Sequence, residues 1–307
     1  MTPAQSWQFG YRSCEVDPQY QLCLNYSTCA LTDEYLVANC GGCNPGCDPS
    51  KAWITPAVHC LPSFLSDIGG LQFDRDGQAT GISAFPDAVT LVWRNRATLP
   101  LDVAGPLAIS PSLVFRVRTT SAGLRCTPNP DVRRSLGISD DARLWLAPGA
   151  RDNTLEWMWE NPDTVTDLLA ANRFDLLISP DFSVYGNDCP LTWRVNGKRA
   201  LVEYSEWLGL GIPCVPTVSI PNEFFATQWA EWIYRNPAVN CLAVNAQMWR
   251  DPVEFESMLD LLKCFSGMLD RELHFIVCGP VKPARIAMVK RALKSCTILS
   301  SAWYNRR

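Results

Sequence analysis

The chain has 307 residues, 47% of them hydrophobic and 19% charged, a balance that supports a sizeable core and excludes wholesale disorder. A formal charge of −4 excludes a protein that coats nucleic acid non-specifically, because that affinity comes from many lysines and arginines on phosphates. Local basic strips remain, among them Arg116, Arg118 and Arg125, which read by default as solvated faces.

The first sixty residues hold seven of the fourteen cysteines. The start, Met1-Thr2-Pro3-Ala4-Gln5, has no basic region followed by an apolar one, and no run approaches the ~20 apolar residues of a membrane span. The expected location is therefore the cytoplasm, where disulfides are rare and clustered thiols point to metal or reactivity. Cys40, Cys43 and Cys47 form a C-x2-C-x3-C run in a Gly/Pro turn, a path along which thiolates converge on one ion. Cys60 is the expected fourth ligand, with Cys14, Cys23 and Cys29 as alternatives. Thiolate-rich sites select zinc or an iron–sulfur cluster. The spacing leaves both open, with disulfides or plain thiols as a third reading. Residues 1–70 are thus expected to be a Cys-rich metal-binding segment and 71–307 a separate domain.

From about residue 70 short apolar runs alternate with amphipathic stretches. Eight runs read as strands, at 88–93, 107–110, 143–146, 175–179, 214–218, 241–245, 274–278 and 296–300. Apolar residues at three- and four-residue spacing predict helices over 163–172, 198–208, 223–235, 252–269 and 283–293. Asp251 followed by Pro252 has the form of an N-cap with an N1 proline. Strand and helix in alternation predict an α/β fold, an incomplete (β/α)8 TIM-like barrel whose last helix is absent or replaced by the N-terminal segment. An open doubly wound sheet is the alternative.

In either architecture ligands bind at the carboxyl ends of the strands. Asp181, in Ser179-Pro180-Asp181-Phe182-Ser183, follows a strand directly and is the expected general base, nucleophile or metal ligand. A turn or helix-capping aspartate is the structural reading of the same residue. Asn245 and Ser300 end two further strands and complete the expected catalytic set. Ser183, Asn196, Arg199, Thr217, Gln247 and Trp303 are expected to bind substrate: amides, hydroxyls and an aromatic face suit a planar polar ligand such as a nucleobase, and the Arg fork suits a phosphate. Taken singly, each is explained by ordinary polarity at a barrel rim. With only His59 and His274 in the chain, a Ser-His-Asp system or a histidine-rich catalytic zinc site is not expected.

Residues 143–249 resemble a family of phage, prophage and mobile-element proteins of unknown function. The matching residues are Asp152 with Leu155-Glu156 and Trp159, then 178–183, then Asn196 with Lys198-Arg199, and Gly211-Ile212-Pro213 with Val215-Pro216. The resemblance implies a phage-encoded protein of the host cytoplasm. The last quarter is similar to tRNA-guanine transglycosylases and their phage DNA-modifying relatives, zinc-bearing (β/α)8 base-exchange enzymes, through His274-Phe275, Gly279, Ser300-Ser301-Ala302-Trp303-Tyr304 and Arg306. Ser300 stands where that family has its nucleophilic aspartate, so base exchange would fall to Asp181. The implied function is a nucleic-acid or nucleobase-modifying enzyme; the alternative is a non-catalytic accessory protein of phage DNA metabolism.

Overall fold

A computed structural model describes residues 68–70, 72–93, 105–121, 123–182, 184, 190–247 and 249–301. The cysteine cluster with Cys40, Cys43, Cys47 and Cys60 lies outside the described residues, as do Ser183 and Trp303. Eight strands form one parallel sheet: β1 (Ala88–Val92), β2 (Leu107–Ile109), β5 (Leu144–Leu146), β6 (Leu176–Ile178), β7 (Cys214–Val215), β8 (Cys241–Asn245), β9 (His274–Cys278) and β10 (Cys296–Ser300). Their spatial order is β7-β6-β5-β2-β1-β10-β9-β8. A parallel bridge between Thr217 and Ala243 joins the two outermost strands. Ala243 N–H donates to Pro216 O (2.9 Å) and Val218 N–H to Ala243 O (2.8 Å), so the sheet curls into a nearly closed barrel. Each of the eight runs expected from the sequence contains one of these strands.

The strands read as continuous apolar runs because both their faces are buried, as parallel sheets require. Inward-pointing side chains, among them Leu91, Ala108, Trp145, Ile178, Ala243, Ile276 and Leu299, fill the barrel, and their neighbours Leu107, Leu146, Leu177, Val244, Val277 and Ile298 pack outward under the helices. The large Trp145 is accommodated by the small Ala108, Ala147 and Ala243 in the same cluster. At the amino end of the barrel Phe85 stacks on His274, with ring centroids 4.2 Å apart. His274 also contacts Ser295 Oγ and Thr297 Oγ1 through its two ring nitrogens, and burial pushes its pKa down to about 4. The neutral imidazole is held in place by these contacts at the amino end of β9.

Among the described residues the helices are α1 (Pro111–Val114), α2 (Val132–Leu136), α3 (Asp152–Glu160), α4 (Pro162–Ala171), α5 (Pro190–Leu208), α6 (Glu223–Arg235), α7 (Pro252–Met268) and α8 (Pro283–Ala292). Asp251 caps α7 by accepting from Val253 N (2.8 Å) and Glu254 N (3.2 Å), the arrangement expected from Asp251-Pro252. Helices α1, α2 and α3 were not among those expected, and two further features depart from the sequence reading. Between β2 and β5 the chain inserts an antiparallel hairpin, β3 (Phe115–Thr120) and β4 (Gly123–Pro128). And α5 starts at Pro190, eight positions before the expected 198, because proline is favoured in the first turn of a helix.

Helix α5 is buried on nearly every side from Val195 to Tyr204. The barrel covers its inner face and residues 72–78 cross its outer one, with Phe73 filling the space left by the missing side chain of Gly197, where a Cβ would lie 2.9 Å from the Phe73 ring. The charges on this helix must therefore find partners inside the protein. Lys198 donates to Asp74 Oδ1 and to Gln72 O. Arg199 makes a two-pronged ion pair with Glu156 on α3, at 2.9 and 2.7 Å, and its guanidinium lies 3.9 Å from the Phe182 ring centroid and 4.8 Å from that of Trp159. Arg199 thus fastens α5 to α3 and to the segment after β6. Lysine keeps the charge but loses the fork and the stacking. Arg199→Lys is expected to lower unfolding stability by about 2 kcal/mol, measured by urea denaturation.

Candidate active site

The carboxyl ends of β1, β5, β6, β7, β8 and β9 open into a cleft of about 1070 Å³. Asp181 sits on its floor, three residues beyond β6, and its backbone N–H donates to Pro148 O (2.9 Å), which ties the β6 loop to the β5 loop. Asn245, the last residue of β8, donates from Nδ2 to Asp181 Oδ2 at 2.7 Å. Ser219, just past β7, donates from Oγ to Asp181 Oδ1 at 3.2 Å. The Asn245 amide is itself oriented, because its Oδ1 accepts the Gln247 N–H at 3.1 Å. Both carboxylate oxygens of Asp181 are therefore held by donors delivered from two neighbouring strand ends.

Burial pushes the Asp181 carboxyl up to about 6; the Asn245 and Ser219 hydrogen bonds pull it down, and the nearby Asp152 charge adds a smaller upward push. An ordinary aspartate is ionised throughout the neutral range, whereas this one exchanges its proton close to it. That is the condition for general acid–base work at physiological pH.

Two glycines give the cleft its shape. At Gly149 a Cβ would sit 3.0 Å from the Trp93 ring and 3.4 Å from Asn245 Nδ2. At Gly279, with φ +110°, it would sit 2.3 Å from the Gln247 side chain, so only glycine lets β9 end this close to the β8 loop. Around the floor stand Trp93 and Trp249, Gln247 and Ser301, with Arg151 and Arg250 exposed at the rim. Neither rim arginine forms an ion pair among the described residues. The Trp249–Arg250 loop is pinned from behind by Arg285, which donates to Trp249 O (2.6 Å) and to Arg250 O while lying over Phe255.

Of the residues expected from the sequence to form the site, Asp181, Asn245 and Gln247 meet in this cleft. Ser300 does not. It shares the strand parity of Ile298, which packs outward, and is fully buried; its neighbour Ser301 lines the cleft instead. Thr217 is also buried: its N–H donates to Ser179 Oγ (2.8 Å) and its hydroxyl to Ser179 O, so it staples β7 to β6. Asn196 and Arg199 lie along the buried α5 rather than in the cleft, and Arg199 is occupied by Glu156. Ser219, Asp152, Trp93, Arg151 and Arg250 supply what these four do not. Their signal in the sequence was position, within a few residues past a strand end.

Cys214, Cys241 and Cys278 are free and buried, and burial pushes all three thiols up, so they pack as small apolar side chains. Among the described residues no group of three or more histidine, cysteine or acidic side chains is placed to hold a metal ion. No helix among them is long and apolar enough to cross a membrane.

No family model and no curated protein matches the chain. Among solved structures it is similar to one described as "Native KDPGal structure", at 12% identity and TM-score 0.40, covering 73% of this chain and 87% of that one. It is also similar to a cube-shaped, highly porous protein cage designed by fusing symmetric oligomeric domains, at 12% identity and TM-score 0.38, covering 70% of this chain and 63% of that one. At these scores the likenesses bear on neither activity nor partners, and the barrel rests on its own strand pairing.

Proposed function

We propose that the cleft is the active site of a nucleobase-modifying enzyme in which Asp181 is the general base. The observation that carries this reading is the Asp181 carboxylate, clamped by Asn245 and Ser219 on the cleft floor with its pKa lifted to about 6. Two features favour a nucleotide-like substrate. Trp93 and Trp249 offer apolar faces to a planar ring and Gln247 an amide to its edge, while Arg151 and Arg250 at the rim suit phosphate oxygens. The free cysteines fit a reducing, cytoplasmic setting, and a phage-encoded modifier of host or phage nucleic acid matches this chemistry.

The test is to incubate the protein with ribo- and deoxyribonucleotides and with short oligonucleotides, following released or altered base by liquid chromatography and mass spectrometry. Turnover that rises with pH through about 6 and then levels off is expected, since the ionised Asp181 is the active form. Binding of these compounds with no turnover at any pH would favour the accessory-protein reading instead.

The cysteine cluster enters the same proposal as a structural or redox metal centre, zinc or iron–sulfur, held by Cys40, Cys43, Cys47 and Cys60. Elemental analysis of anaerobically purified protein is expected to find about one zinc per chain, or iron with acid-labile sulfide and a brown colour. Serine at Cys43 and Cys47 should abolish that content. Metal-free protein, or content that survives both substitutions, would remove the centre.

A further inference from the structure

The hairpin inserted between β2 and β5 is not needed to close the barrel, and its two faces differ sharply. Phe115 and Val117 on β3 are buried against α3, where Phe115 meets Trp157 with ring centroids 5.9 Å apart. Leu124 and Cys126 on β4 pack toward the same core. The opposite face carries Arg116 and Arg118 on β3 and Arg125 and Thr127 on β4, all exposed.

Arg118 stands directly across from Arg125, and Arg116 across from Thr127. Like charges directly opposed on a ladder destabilise it. None of the three arginines forms an ion pair among the described residues. In a chain with a formal charge of −4, three guanidinium groups gathered on one exposed ribbon, against the local electrostatic cost, call for an anionic partner.

The hairpin also adjoins the cleft. Ser112 lies in α1, the short helix that leads directly into β3, and its Oγ accepts the backbone N–H of Arg151 at 3.4 Å. Arg151 is the N-cap residue of α3 and lines the cleft. The chain that enters the hairpin is thus tied to the rim residue Arg151.

We propose that this hairpin is a docking ribbon for the phosphodiester backbone of single-stranded nucleic acid, delivering the strand to the cleft past Arg151. Arg116 and Arg118 are two residues apart on one face, about 6.6 Å along the strand, a spacing similar to that of successive phosphates in an extended single strand. Arginine forks bind phosphate oxygens in pairs. The proposal rests on the nucleic-acid reading of the cleft and identifies the substrate as a strand rather than a free nucleotide.

Fluorescence anisotropy with a labelled thymidine oligonucleotide, at several salt concentrations, tests it. The full chain should bind with an affinity that falls steeply with salt, at about 0.7 in slope for each phosphate neutralised on a single strand. The double variant Arg118→Gln with Arg125→Gln should lose about 1.4 of that slope and bind at least tenfold more weakly at low salt. Its melting temperature should stay unchanged or rise, because a like-charge pair has been removed. Asp181→Asn should bind the oligonucleotide as tightly as the unaltered protein.

Equal slopes and affinities in the double variant and the unaltered chain would overturn the ribbon. So would absence of oligonucleotide binding, or equally tight binding of polyglutamate. Turnover of free nucleotides without strand binding would sink the ribbon and leave the active-site reading standing. Hairpin-dependent strand binding without any turnover would do the reverse.

Discussion

Asp181→Asn should abolish turnover, lowering kcat/KM by roughly 10²- to 10⁴-fold, while the melting temperature stays at or above that of the unaltered protein. Asparagine fits the same space. Its Oδ1 accepts from Asn245 Nδ2 and its amide donates to Ser219 Oγ, so both contacts of Asp181 have a neutral counterpart. Only the ability to take a proton is lost. The stability sign follows from the raised pKa: an acid lifted to about 6 in the folded state costs stability as pH rises from its ordinary range through 6. The amide has no such cost, so the variant should be equal at low pH and more stable at pH 8, by a few kcal/mol at most.

Asn245→Ala should act in the other direction on the pH profile. It removes a donor that favours the charged carboxylate, so the inflection in kcat/KM should move upward by about one unit. Loss of activity in Asn245→Ala with no movement of the inflection would mean that Asn245 touches substrate rather than tuning Asp181. A collapse of melting temperature in Asp181→Asn would make Asp181 a structural residue.

Much of the barrel was legible because buried parallel strands announce themselves as short, unbroken apolar runs, and 214–218, 241–245 and 274–278 are unmistakable of this kind. Asp181 and Asn245 were legible for a related reason: once strand ends are known, the residues just beyond them are the cleft floor. What failed was facing. Ser300 and Ser301 are adjacent, and only the pairing register of β10 with β1, Thr90 opposite Ser300, decides which of the two points inward. For Arg199 and Asn196 the difference lies in burial: their polarity suggested a ligand, while the fold covers their helix on both sides and pairs Arg199 with Glu156. The hairpin did carry a signal in Phe115-Arg116-Val117-Arg118, a strict apolar–polar alternation. Attention to charge alone hides that period.

Glu203 is the third charged group on the buried face of α5, and unlike Lys198 and Arg199 it has no strong partner. It is 1% exposed, and neither carboxyl oxygen makes a hydrogen bond of normal geometry among the described residues. Burial pushes its pKa up to about 8, the Glu206 charge adds to the rise, and Arg199 and Trp207 oppose it. At pH 7 the group is therefore mostly the neutral acid. Between its ordinary value of 4.5 and about 8, unfolding releases a proton, so stability falls as pH rises through this window and levels off above it.

The full cost of ionising Glu203 in place is on the order of 5 kcal/mol, a large fraction of a domain's stability. Glu203→Gln keeps shape and neutrality. It should match the unaltered protein near pH 5 and exceed it by several kcal/mol at pH 9, as read from urea denaturation at each pH. Because Asp181 titrates identically in both proteins, the difference between the two curves isolates Glu203. Parallel curves from pH 5 to pH 9 would show that Glu203 is charged and compensated in the folded protein, with Arg199 then shared between Glu156 and Glu203 rather than committed to the first.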